Sequence, residues 1–207
     1  IVASSDHALG EMLAADPRVD GVTFTGSTAT GRRVMEVASR TVKKVFLELG
    51  GKSANVILDD ADAGAFGAGI LTCTHGGQGC AITTRMLVPR RRYDEALGIL
   101  EAAFRGAKYG DPNDPGVLQG PQVSKRQQQR VLDYIEKGKR EGARLVVGGG
   151  RPAHLPKGFY VEPTLFADVD PKATIAQEEI FGPVLCLIPY DGDDDAVVAL
   201  YDGDAFV

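Results

Sequence analysis

Cys80 is the residue best placed to act as a nucleophile. It closes the glycine-rich stretch Gly76-Gly77-Gln78-Gly79-Cys80, and Ala81-Ile82-Thr83-Thr84-Arg85 leads from it into the strand-like run Met86-Leu87-Val88. Glycine has no Cβ, so its backbone can turn tightly or come close to a ligand. A cysteine on such a turn can offer both its sulfur and its own amide N–H to a bound molecule. The thiol needs a base, a cofactor or a scaffold beside it. His75 precedes it by five residues; it reads as a base for Cys80 or, more simply, as a residue placed at a helix end. Cys73 reads as a packed core thiol.

Two further carboxylates invite chemistry. Glu48 interrupts the largely apolar run Lys44-Val45-Phe46-Leu47-Glu48-Leu49 just before Gly50-Gly51-Lys52. A charge there is either solvated at a strand end or held as a general base. Glu178 and Glu179 precede Ile180-Phe181-Gly182-Pro183; on local sequence they read as a surface pair and Phe181 as core. Phe24-Thr25-Gly26-Ser27-Thr28 forms a small-residue turn between a strand and a helix. Such a turn is an ordinary N-capped βα connection, or one whose helix-start amides face an anion.

The elements that must position these residues alternate in type. Helical patterns are expected over residues 6–15, 32–39, 61–74, 93–108 and 125–141, and strands over 19–24, 44–49, 54–58, 86–89, 145–147, 160–166 and 184–190. Gly64, Gly67 and Gly69 weaken the 61–74 helix unless it packs closely on a sheet. Ser124 with Gln127 fits a capping box, and the basic residues of that helix read as a solvated face. The alternation predicts an α/β fold with a mostly parallel sheet.

Composition narrows the function classes. The chain has 207 residues, 43% apolar and 25% charged, and a net charge of −5. That is ordinary for a globular protein with a real core. With no long basic run, nucleic acid is not expected as a partner. No apolar run approaches the roughly 20 residues that span a bilayer, so no membrane partner is expected. The three cysteines and three histidines lack disulfide or metal-ligand spacing, so no metal site is expected and a reducing cytoplasm is the simplest setting. Ile1 begins the chain without an initiator Met or a signal-like start, which reads as a segment of a longer product.

Four stretches together resemble the aldehyde dehydrogenase superfamily: Phe24 to Thr28 with Gly31, Leu47 to Lys52, Gly77 to Cys80 with Arg85, and Glu178 to Pro183. Each alone is a weak signal, but four in the family's order are specific. The resemblance implies a three-layer aldehyde dehydrogenase-like catalytic domain and a remnant of a Rossmann-like cofactor domain. It places the partial NAD(P)-binding domain at residues 1–49 and the catalytic domain at 50–207.

The resemblance also implies roles. Cys80 matches the nucleophile, giving a thiohemiacetal and then a thioester, and Glu48 the residue that activates water to hydrolyse it. Gly26 and Ser27 match the turn that holds the NAD or NADP pyrophosphate. Leu49 and Gly50 match backbone near the nicotinamide, Glu179 the carboxylate on the nicotinamide ribose, and Phe181 the ring beside it. Arg85 is expected to support the Cys80 loop. The implied reaction converts a small-molecule aldehyde to a carboxylic acid, and the implied full-length protein is a homo-oligomer.

Three departures from the family pattern accompany the match. The oxyanion asparagine and the adenosine-ribose lysine would lie upstream, and an active-site glutamate and oligomerisation strand downstream. Residues 200–207 fit the pattern poorly. The interval from Glu48 to Cys80 is 32 residues, about two fewer than the resemblance implies, with the shortfall in the 61–74 helix. The segment alone is therefore expected to be inactive. The alternatives are a non-catalytic fragment or pseudoenzyme that needs a separate N-terminal half, and a thiol hydrolase pairing Cys80 with His75.

Overall fold

The computed structural model describes residues 1–192 and residue 197. The chain divides into two compact units, one formed by Ile1–Gly50 and the other beginning at Gly51. The acidic tract that starts at Asp191 lies mostly outside the described residues, as do residues 200–207.

The first unit runs α1 (Ala8–Ala15), β1 (Gly21–Thr25), α2 (Thr28–Ser39) and β2 (Lys44–Glu48). β1 and β2 pair in parallel, with Thr25 opposite Glu48, and α2 is the crossover that parallel pairing requires. Period-2 alternation splits the strands. Val22, Phe24, Val45 and Leu47 are half-buried, while Phe46 on the other face is 67% exposed. Ala14, Val37 and Ala38 are buried on the helices. Ser27 caps α2 by accepting from the Thr30 amide at 3.3 Å, so the helix starts earlier than the hydrophobic pattern alone indicates.

The second unit holds β3 (Ala54–Val56), a single turn α3 (Gly64–Gly67), a 3₁₀ run Ala68–Gly77, β4 (Arg85–Pro89), α4 (Tyr93–Gly106), α5 (Lys125–Arg140), β5 (Arg144–Val147), β6 (Thr164–Ala167), α6 (Thr174–Gln177) and β7 (Val184–Tyr190). The sheet order is β3-β4-β7-β6-β5, parallel except where β5 joins the edge antiparallel to β6. The three-layer, mostly parallel arrangement is the one expected. Alternate residues of β7 feed two cores. Val184, Cys186 and Ile188 meet Val131 and Ile135 of α5 and Ile175 of α6. Leu185 and Leu187 meet Phe66, Cys73, Leu100 and Phe104 on the opposite face. Burial pushes the Cys73 thiol up to about 12, as suits an inert packed cysteine.

The strand expected over 160–166 is confined to Thr164–Ala167, and one expected element changes type. The 61–74 helix is replaced by α3 and the 3₁₀ run, which leaves helical geometry at Thr74 (ψ 142°) and turns left-handed at His75 and Gly76 (φ 53° and 64°). A 3₁₀ helix rises about 2.0 Å per residue against 1.5 Å for an α-helix. Over the six residues from Ala68 to Cys73 the gain is roughly 3 Å, the length of two α-helical residues. Gly69 explains its own presence: a Cβ there would lie 2.4 Å from Leu100 and 2.9 Å from Leu185.

Candidate active site

In the second unit the Cys80 loop is held from both ends and from outside. Thr72 Oγ1 donates to the Thr83 carbonyl at 2.9 Å, closing the loop across its base. Gln122 Nε2 donates to the Gly76 carbonyl at 2.9 Å. Gln78 donates to the His75 carbonyl at 2.9 Å and accepts from the Val123 amide at 2.8 Å. Within this frame Cys80 itself is exposed and unbridged, on a turn at Cys80 and Ala81. His75 is exposed too.

The loop abuts the segment carrying Glu179 and Phe181. A Cβ on Gly77, whose φ is +72°, would fall 2.0 Å from the Gly182 carbonyl carbon and 2.1 Å from its oxygen. The two turns therefore pack backbone on backbone, which places the cysteine loop and the Glu179–Phe181 segment together. Glu179 and Phe181 are half-buried, and Phe181 adopts φ +59° although it is not glycine. Phe181 is thus not the core residue that its local sequence indicates.

In the first unit Gly26, Ser27, Glu48 and Leu49 are gathered at one end of the strands. The Gly26 amide donates to the Glu48 carbonyl at 3.0 Å. A Cβ on Gly26 would lie 2.6 Å from the tip of the Phe24 ring, which would have to shift to admit it. Leu49 packs on Gly31, where a Cβ would lie 2.5 Å from Leu49 Cδ2. The Glu48 side chain is exposed, and Gly50 is half-buried. A cavity of about 740 Å³, lined among others by His7, Leu9, Leu13, Phe24, Thr30 and Arg33, opens beside the start of α2. These features suit a dinucleotide: a glycine turn, helix-start amides without intrahelical acceptors, and an adjacent half-apolar cavity. The cavity has no signature in the linear sequence, because its walls come from α1, β1 and α2 together.

Two basic residues are buried near the starts of β3 and β4. Arg85 is buried, and its guanidinium donates to the Lys52 carbonyl, so it supports the approach to β3 at Lys52 and Ser53. Lys52 is only 1% exposed, and its ammonium has no hydrogen-bond partner among the described residues. Burial pulls its pKa below the ordinary 10.5; Cys186 and Glu179 oppose that shift and Arg85 adds to it. A lysine after two glycines reads locally as solvated, which is why the sequence did not single it out.

Because the folded pKa of Lys52 is depressed, the unfolded chain binds more protons between that value and 10.5. Stability therefore rises with pH across this window, where the folded lysine is neutral while the unfolded one still holds its proton. Lys52→Met is expected to raise stability by about 1–2 kcal/mol at neutral pH and to flatten the alkaline rise. Urea titrations at several pH values check this. A loss of stability at every pH would show a compensated charge instead.

The aldehyde dehydrogenase family model matches residues 1–203. The chain is 44% identical over 201 residues to a geranial dehydrogenase from Castellaniella defragrans, covering 96% of this chain and 42% of that protein. It is 44% identical over 199 residues to a betaine aldehyde dehydrogenase from Rhizobium johnstonii, covering 95% and 41%. Among solved structures, the Mycobacterium tuberculosis aldehyde dehydrogenase complexed with NAD+ superposes with a TM-score of 0.88 at 48% identity, over 94% of this chain and 40% of that one. Aldehyde dehydrogenase C from Pseudomonas syringae, complexed with NAD+ and octanal, gives 0.89 at 43% identity, over 93% and 40%. The chain thus spans about 40% of the length of these relatives, including the glycine turn, the cysteine loop and the Glu179–Phe181 segment. By the extent of these matches and the fold beneath them, the chain belongs to the aldehyde dehydrogenase family.

Proposed function

We propose that this chain supplies the nucleophile and part of the cofactor site of an NAD(P)-dependent aldehyde dehydrogenase that releases a carboxylic acid. The observation that carries the reading is the packing of the exposed Cys80 loop against the Glu179–Phe181 turn through Gly77 and Gly182. Residues 1–49 act as the cofactor part and residues from 50 onward as the catalytic part. The three free thiols fit a reducing cytoplasm. No described helix is long and apolar enough to cross a membrane.

The chain's own groups divide the work. Cys80 sulfur adds to the aldehyde carbon, forming a C–S bond, and the Cys80 amide donates to the oxygen that gains charge. When bound, NAD(P)+ supplies the hydride acceptor that converts the thiohemiacetal to a thioester. Gly26 and Ser27 at the start of α2 would hold the pyrophosphate, Leu49 and Gly50 would serve the nicotinamide end, and the 740 Å³ cavity would take the adenosine end. The Glu179 carboxylate would bind ribose hydroxyls, with the Phe181 ring beside them. Glu48 removes a proton from water, which attacks the thioester carbon. The C–S bond breaks and Cys80 leaves as the free thiol.

The isolated chain is read as inactive, working with an N-terminal half; the exposure of Phe46 on one face of the β1–β2 pair supports that reading. Supplied with the N-terminal part of a relative, it is expected to form NADH from aldehydes, read by absorbance. Cys80→Ala removes that signal, and alone the chain gives none. Undiminished turnover in Cys80→Ala would refute the nucleophile, and rapid turnover by the chain alone would refute the shared site.

A further inference from the structure

The Glu178 amide closes α6 on the Thr174 carbonyl at 2.8 Å, and from there the 178–181 segment is held by side chains. α5 captures it residue by residue. Tyr134 Oη donates to Glu178 Oε2 at 2.6 Å. Arg130 donates to the Glu179 carbonyl at 2.7 Å. Gln127 Nε2 donates to the Ile180 carbonyl at 3.2 Å and to the Phe181 carbonyl at 2.8 Å. Positions 127, 130 and 134 share one helix face, at spacings of three and four residues. Val131, on the same stripe, fills the space over Gly182, where a Cβ would lie 2.4 Å from it. Four consecutive residues are therefore held by three polar side chains of one helix.

The stripe is internally braced. The Arg130 guanidinium stacks over the Tyr134 ring at 5.1 Å. Burial, and then the bond to Glu178, push the Tyr134 phenol up to about 12, so it stays a proton donor. Gln127 is also where the capping-box reading fails in half. Its amide N–H bonds Ser124 Oγ at 3.1 Å as expected, but its side chain reaches the loop rather than turning back to Ser124. What it holds is the least comfortable residue of the segment, left-handed Phe181.

We propose that Gln127, Arg130 and Tyr134 are positioning residues that template the 178–181 segment, so that the Glu179 carboxylate and the Phe181 ring are presented to the cofactor. The first half of this proposal stands on the hydrogen bonds alone; the second rests on the function proposed above. The three residues act through backbone carbonyls and one carboxylate, leaving the Glu179 side chain free for a ligand.

The test uses Gln127→Leu, which keeps bulk but removes both donors, with Arg130→Ala and Arg130→Lys. Two readouts separate the halves of the proposal. Cleavage of the chain after Glu178 or Glu179 by a glutamate-specific protease reports the segment's shape. The KM for NAD+ in the activity-competent assembly reports its use. Gln127→Leu and Arg130→Ala are expected to speed cleavage and raise KM for NAD+, each roughly tenfold, with kcat within about twofold, and Arg130→Lys to restore both. Unchanged cleavage in both variants overturns the template. Faster cleavage with unchanged KM overturns the link to the cofactor and keeps the template. An assembly inactive even with the parent sequence counts against the proposed function, while the cleavage arm still decides the template. Should Gln127→Leu not fold, the exposed Arg130 carries both readouts.

Discussion

Gly77→Ala is expected to destabilise the protein by about 3–5 kcal/mol, summing a left-handed backbone penalty with overpacking that has nowhere to relax. The Cβ would fall 2.0–2.5 Å from three backbone atoms of Gly182 and Pro183, and backbone cannot rotate away as a side chain can. The φ of +72° adds its own cost for any residue with a Cβ. Chemical denaturation measures the loss. Gly67→Ala is the control, because a Cβ there meets nothing within 4 Å. If both variants unfold at the same denaturant concentration, the backbone contact between the two turns does not exist in solution.

Glu48→Gln is expected to separate the two halves of the reaction. Gln has the same size and cannot take a proton from water, so thioester formation on Cys80 proceeds and its hydrolysis does not. In the activity-competent assembly the result is a burst of NADH up to one equivalent, followed by steady turnover reduced about 10²–10⁴-fold. The Cys80 peptide carries the acyl mass while turnover is stalled. Full steady turnover in this variant would assign the water-activating role elsewhere and leave Glu48 as the solvated strand-end carboxylate that its exposure also allows.

What could be read before the structure was known followed from how local each signal is. The run Val184 to Tyr190 is apolar throughout and flanked by Pro183 and Asp191, so β7 was legible to the residue. Ser27 before a small-residue helix was legible as a cap. The Ala68–Gly77 3₁₀ run was not, since glycines weaken an α-helix without specifying what replaces it. Glu179 and Phe181 were visible only through the family resemblance, because their local sequence reads as surface and core. The partners of Gln122, Gln127 and Arg130 lie 46 to 54 residues away along the chain, and no local pattern encodes a carbonyl at that range. Lys52 was not singled out for the same reason: only tertiary packing buries a charged residue after Gly50-Gly51.

The position of β7 has a consequence for how the second unit comes into being. β7 sits inside the sheet between β4 and β6, yet among the described strands it is the last in sequence. Arg85 waits for Cys186, and Pro89 for Tyr190, about a hundred residues downstream. During synthesis, β4 and β6 therefore carry unmatched hydrogen-bonding edges until β7 leaves the ribosome. Both hydrophobic cores wait as well, since Val184, Cys186 and Ile188 complete one and Leu185 and Leu187 the other. Closure of this sheet thus waits for β7, and the nascent chain must be kept from pairing with neighbours through the β4 and β6 edges until that strand is inserted.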